Sequence, residues 1–177
     1  MRDKYIVLIV GESGSGKSTI CDELTKRYGL KQVKSYTTRP RRNENEDGHT
    51  FINDEQFNNL ENICAYTLFD GYRYCATKEQ IDNADLYIID PKGIEYFIAH
   101  YNGRKIPMVV YIHAEDWNRK KRMLERGDDI ESVNRRIKND EIEFKDVGQY
   151  ATLIYSNNLM RTIDIIVKNI YYEFFKE

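Results

Sequence analysis

The run Tyr5-Ile6-Val7-Leu8-Ile9-Val10 is apolar throughout and rich in β-branched side chains, and it passes directly into Gly11-Glu12-Ser13-Gly14-Ser15-Gly16-Lys17-Ser18. An apolar run this short with no polar side reads as a strand buried on both faces of a sheet. The residues after the glycines, Ser18 to Tyr28, carry a helical pattern, and Gly29 is placed to cap its end. Strand, loop and helix in that order form the unit from which a parallel sheet covered by helices is built. The loop fits G-x-x-x-x-G-K-[ST] at every fixed position. Its glycines let successive N–H groups point into one concavity, and the following helix adds its positive end, which together suit the phosphates of a nucleoside triphosphate. Lys17 supplies a point charge for the β- and γ-phosphates, and the Ser18 hydroxyl is a ligand for Mg²⁺. The expected ATP contacts are Gly11, Glu12, Ser13, Gly14, Ser15, Gly16, Lys17, Ser18 and Thr19, with Ser18 as the metal ligand.

The unit recurs. Asp85 to Asp90 predicts a second buried strand followed by a helix from Ile94 to about Tyr101, and Pro107 to Ile112 a third followed by a helix from about Glu115 to Arg126. Thr152 to Tyr155 predicts a short fourth strand. Leu159, Ile163, Ile166, Ile170 and Phe174 then recur at helical spacing, giving a last helix with one apolar face. The expected fold is a three-layer α/β sandwich around a P-loop, in one domain, with a core of residues 1–34, 85–118 and 148–177. Two segments interrupt it. Residues 35–84 are polar, with short apolar pieces around Asp70-Gly71, a hairpin signal, so they predict a small inserted antiparallel sheet. Residues 119–147 are helix-prone and densely charged, as in a solvated surface or a mobile lid.

Composition excludes several functions. With 27 Lys and Arg against 29 Asp and Glu, the formal charge of -2 implies neither a duplex nucleic acid nor an anionic membrane as partner, and any anion site must be local. Apolar stretches are far too short to span a bilayer, and the N-terminus lacks the layout of a signal peptide. Cys21, Cys64 and Cys75 form no CxxC pair, which suits buried thiols in a reducing cytoplasm rather than disulfides or zinc. His49, His100 and His113 have no ligand spacing and read as structural or solvated. Asp54, Glu55, Asp140, Glu141 and Glu143 read as helix-surface charges.

Downstream of the loop, Ser35-Tyr36-Thr37-Thr38-Arg39-Pro40-Arg41-Arg42, then Asp47-Gly48 and Phe51, resembles the acceptor-binding motif of guanylate kinases. Lys121-Arg122-Met123-Leu124-Glu125-Arg126-Gly127, then Glu131-Ser132 and Arg135-Arg136-Ile137, is similar to that family's lid. Tyr155-Ser156-Asn157-Asn158-Leu159 resembles the strand end that contacts adenine. The resemblance implies ATP- and Mg²⁺-dependent phosphoryl transfer to a nucleoside monophosphate by a cytoplasmic monomer or homodimer. It implies catalytic roles for Lys17, Arg122, Arg126 and Arg136, an ATP contact at Asn157, and acceptor contacts at Ser35, Arg39, Arg42, Phe51, Tyr74 and Asp90. Departures fall mainly on base recognition. The family's guanine-reading glutamate and serine or threonine fall on Ala65 and Ala76, its first phosphate-contacting tyrosine on Phe51, a motif glutamate on Asn45, and the first of two strand acids on Ile88. GMP is the default acceptor; alternatives are a ribose phosphate or other non-guanine acceptor, or a non-catalytic interaction module, against which the intact Lys17-Ser18 pair counts.

Overall fold

The computed structural model describes residues 4–41, 44–69, 71–158 and 160–176. Its elements run β1 (Tyr5–Val10), α1 (Lys17–Tyr28), β2 (Tyr36–Thr37), β3 (Thr50–Phe51), α2 (Asp54–Asn58), β4 (Ile63–Phe69), β5 (Tyr72–Thr77), α3 (Lys78–Asp82) and β6 (Leu86–Ile88). They continue with α4 (Pro91–His100), β7 (Ile106–His113), α5 (Asp116–Glu125), α6 (Ile130–Glu143), α7 (Val147–Tyr150), β8 (Leu153–Ser156) and α8 (Met160–Phe174). The main sheet has the order β6-β1-β7-β8, with every pairing parallel.

Because β1 lies inside the sheet, Ile6 to Val10 are 0% exposed, which is why that run has no polar position. Val7 and Ile9 face Ile20 and Leu24 of α1 and Ile166 and Ile170 of α8. Ile6, Leu8 and Val10 face the opposite way, into a cluster with Ile94 and Phe97 of α4 and with Ala65 and Ala76 of the second sheet. Each such aliphatic side chain removed from water contributes about 1.5–3 kcal/mol, so the two clusters fix the layers. Ile163, Ile166, Ile170 and Phe174 of the expected apolar face pack in the α1 cluster, and Leu159 lies outside the described residues.

The second sheet has the order β3-β2-β5-β4. Both β5 pairings are antiparallel, but β2 and β3 run parallel, so the sheet is mixed where the sequence suggested an antiparallel one. The cause is the excursion from residue 38 to 49, which carries the chain back to the same edge in the same direction. The β4–β5 hairpin closes at Phe69↔Tyr72, with Gly71 at φ 80°, and Asp70 lies outside the described residues. Differences from the expected elements are local. The helix after β6 starts at Pro91 rather than Ile94, because Asp90 accepts a hydrogen bond from Gly93 N at 2.7 Å and Pro91 takes the first helical position. Gly127, at φ 94°, makes the turn between α5 and α6. Among the described residues, no helix is long and apolar enough to cross a membrane.

Candidate active site

The carboxyl ends of β1 and β7 and the loop after β6 bring Gly11, His113 and Asp90 to one edge of the sheet, where parallel α/β folds hold their ligands. The phosphate loop there is shaped by its glycines. Gly14 and Gly16 have φ of 78° and 98°, and a Cβ on Gly11 would lie 2.2 Å from the Ile112 carbonyl oxygen. Lys17 Nζ donates to the carbonyls of Gly11 and, at 2.9 Å, Glu12. Burial pushes the lysine down to about 8, against the pull of Asp140 and Glu12. Ser18 and Thr19 are exposed at the first turn of α1, which leaves the Ser18 hydroxyl open to a cation.

The back of the loop is gripped by side chains. Arg122 Nη1 donates to the carbonyls of Gly14 (3.2 Å) and Ser15 (3.3 Å), while Nη2 donates to that of Asn157 (2.8 Å). Fully buried Asn157 donates through Nδ2 to Ser15 O at 2.6 Å, and a Cβ on Gly16 would meet that Nδ2. Arg122 thus commits its guanidinium to three backbone carbonyls, and burial lowers its pKa.

The front of the loop carries a charged network that patterning did not reveal. Buried Glu12 accepts from Tyr111 Oη at 2.5 Å and pairs with His113 Nδ1 at 2.8 Å. Arg119, 2% exposed, donates to Ser13 O (3.0 Å), Asp116 (2.9 Å) and Asp140 (2.6 Å). Asp140 also accepts from Ser13 N at 2.8 Å. Reading Asp140 as a helix-surface charge is therefore corrected: it is 6% exposed, whereas neighbouring Glu141 is exposed. The available signal was spacing, since Asp140 lies seven residues after Val133, the other buried residue of α6.

Facing the loop is a cavity of about 210 Å³ lined by Ser35, His49, Thr67, Tyr74, Tyr87 and Asp90 among others. Ser35 Oγ and His49 Nδ1 are 2.9 Å apart. Arg39 forks onto Glu46 (2.6 and 3.2 Å), lies 5.3 Å over the Phe51 ring and is also faced by Tyr74. Arg41 lies over the same Phe51 ring at 4.4 Å, whereas Arg42 is outside the described residues. Burial pushes the Asp90 carboxyl up, while Gly93 N and Thr67 hold it down. Ala65 and Ala76 are paired partners across the hairpin and are buried with Tyr87, whose ring lines the cavity. A wider space of about 740 Å³ opens beside it, between Arg39 and Tyr74 on one side and Arg136 on the other. At its rim Asp128 accepts from both Arg126 (3.0 Å to Nε) and Arg136 (3.1 Å). The fold thus brings Lys17, Ser35, Tyr74 and Asp90 around one cavity and Arg39 and Arg136 around its neighbour, with Arg122 and Asn157 behind the loop.

A sequence model of the family described as guanylate kinase matches residues 3–172. The chain belongs to the guanylate kinase family. Guanylate kinase of Campylobacter jejuni (strain RM1221) is 26% identical over 175 residues, covering 92% of this chain and 85% of that protein. Guanylate kinase of Fusobacterium nucleatum is 26% identical over 177 residues, covering 92% and 93%. The crystal structure of guanylate kinase from Anaplasma phagocytophilum superposes with a TM-score of 0.66 at 16% identity, covering 99% of this chain and 89% of that one, a likeness of fold. The fixed glycines, Lys17 and Ser18 of the phosphate loop are all present, and Ala65 and Ala76 carry only methyl groups.

Proposed function

We propose that this chain transfers the γ-phosphoryl group of ATP, with Mg²⁺, to a nucleoside monophosphate, GMP being the acceptor its family suggests. The observation that carries the reading is a phosphate loop with Lys17 and an open Ser18, facing a cavity wall that bears Ser35, Tyr74 and Asp90. Ser18 would hold the Mg²⁺, which when bound neutralises charge on the phosphates. Lys17 exchanges the carbonyls of Gly11 and Glu12 for phosphate oxygens, a stronger partner for an ammonium. Arg39, with Arg42, orients the acceptor phosphate. Residues 119–147 act as a lid: Arg126 and Arg136, gathered on Asp128, release it to follow charge onto the transferring group. Arg122 serves the reaction by holding the loop and the Asn157 end of β8 in register.

A second reading, a non-guanine acceptor, is favoured by Ala65 and Ala76, which offer no hydrogen bond to a base. A charge-assisted bond is worth about 1.5–3 kcal/mol and a neutral one about 1, so their absence removes roughly 2.5–4 kcal/mol of guanine preference. The test is ADP release with MgATP and, in turn, GMP, dGMP, AMP, CMP, UMP, dTMP and ribose phosphates. Acceptor-dependent ADP release supports phosphoryl transfer, and its absence with every acceptor overturns it. A GMP preference of about 10⁴ or more would eliminate the second reading.

A further inference from the structure

The proposed mechanism makes no use of Asp140, although this carboxylate stands at the mouth of the phosphate loop. Ser13 N donates to Asp140 Oδ2 at 2.8 Å, so a main-chain donor of a loop suited to anions is already taken by an anion of the protein itself. Arg119 donates to the same oxygen at 2.6 Å and to Ser13 O at 3.0 Å, so the residue at the loop's tip is held from both its N–H and its carbonyl. Asp140, Ser13, Gly11 and Lys17 line the cavity that separates the loop from Asp90 and Tyr74 on the acceptor wall. A carboxylate there faces the place where phosphate oxygens must pass from one substrate to the other. Lys17 meanwhile rests on main-chain carbonyls, with Asp140 the strongest of the charges that favour its ammonium form. Burial pushes the Asp140 carboxyl up, and Ser13, Arg119 and Lys17 pull it back, the environment of a carboxylate satisfied only while it stays on the loop.

We propose that Asp140 is an internal competitor for the phosphate site: in the empty protein its carboxylate occupies the Ser13 N–H, and nucleotide phosphates seat fully only after displacing it. The proposal rests on the ATP reading above. Its consequence follows from linkage, since a ligand that must first break an internal contact binds more weakly than the bare loop would allow. Asp140 lies on α6, so its release also loosens that helix from the loop at the moment the phosphates arrive.

Calorimetric titration with MgATP and with inorganic tripolyphosphate, which has no base and reports the loop alone, tests this on the full chain. Asp140→Asn, which keeps a carbonyl oxygen for Arg119, and Asp140→Ala are compared with the unmodified protein and with Lys17→Ala. Asp140→Ala is expected to bind tripolyphosphate and MgATP about tenfold tighter, the scale of one hydrogen bond to a charged group, and Asp140→Asn, whose neutral oxygen still accepts from Ser13 N, by a smaller factor. A purely structural Asp140 predicts unchanged or weaker binding, and that result in both folded Asp140 variants overturns the proposal. Should Lys17→Ala weaken binding while neither Asp140 variant tightens it, the ATP reading stands and the competitor fails. Should the unmodified protein bind neither ligand, the ATP reading itself fails, and the competitor with it.

Discussion

The two walls of the central cavity are made in different ways. On the phosphate side, the chain comes off a strand with no exposed residue in its last five positions, turns through glycines whose Cβ atoms would strike backbone at Gly11 and Gly14 and the Asn157 side chain at Gly16, and enters a helix. On the acceptor side, β2 and β3 are two residues each, and the functional side chains lean on one another: Arg39 on Glu46 and Phe51, Ser35 on His49. One wall is thus set by main chain, core packing and the Arg122 and Asn157 side chains that grip its loop from outside, the other mainly by contacts among its own side chains that a ligand can remake. On the function proposed above, chemistry common to all phosphate donors belongs to the first wall, and discrimination among acceptors to the second.

Several experiments sharpen or break that contrast. The largest effect belongs to the rigid wall. Lys17→Ala is expected to lower kcat by about 10² to 10³ while circular dichroism and the thermal transition stay near those of the unmodified protein. Near-normal turnover in the folded variant would show that the main-chain wall is not where charge is stabilised.

Next comes a division between the walls. Arg39→Ala should raise the acceptor KM roughly tenfold to a hundredfold with a smaller change in kcat, because the acceptor phosphate proposed as its partner is present in the ground state. Arg136→Ala should lower kcat more than either KM, because the proposed lid role has it leave its contact with Asp128 for the transition state. Steady-state kinetics in both substrates decides, and a lid variant that alters only acceptor KM would reverse the assigned roles.

A smaller effect concerns pH. Lys17 sits at about 8 in the empty site against 10.5 for a free lysine, and phosphate oxygens favour its ammonium form. ATP affinity should therefore be flat below about pH 7 and fall by at most about tenfold per unit above pH 8, with proton uptake on binding visible as a buffer-dependent heat. Stability has the opposite sign. The folded-state value lies below the unfolded one, so burying Lys17 costs stability below pH 8, and that cost fades as pH rises from 8 towards 10.5. Smallest of all, Leu68→Ala on the exposed hairpin should change stability by less than about 0.5 kcal/mol in urea unfolding, whereas Ile9→Ala should cost about 2–5 kcal/mol.

Much of the phosphate wall was legible in the sequence because its determinants are local. The apolar run of β1, the glycine positions and the α1 pattern each follow from main-chain geometry, and all appear where they were read. The acceptor wall was legible as a hairpin but not as a mixed sheet, because the parallel β2–β3 pairing depends on an excursion whose path no local signal encodes. Asp90 was visible at the end of a strand, yet its hydrogen bond to Gly93 N, which starts α4 early, rests on capping three residues ahead. The network of Glu12, Tyr111, His113, Arg119 and Asp140 joins four separate elements or loops, so no single window contained it. Arg119 opens the densely charged segment 119–147, and only tertiary packing separates it from exposed Lys121 two residues on.

The position of β1 has a consequence for how the molecule comes to exist. Its two neighbours, β6 and β7, follow it in the chain by about 80 and 100 residues, with Val7 opposite Leu86 and Tyr5 opposite Ile106. The β4–β5 hairpin, by contrast, closes over a handful of residues. During synthesis or refolding the hairpin can form early, while the most apolar strand of the protein waits for partners that arrive late. Long-range parallel pairing of this kind is slow, and a waiting apolar strand invites pairing with another chain. The segment that makes the finished fold rigid is therefore also the one most exposed to aggregation before the sheet is complete.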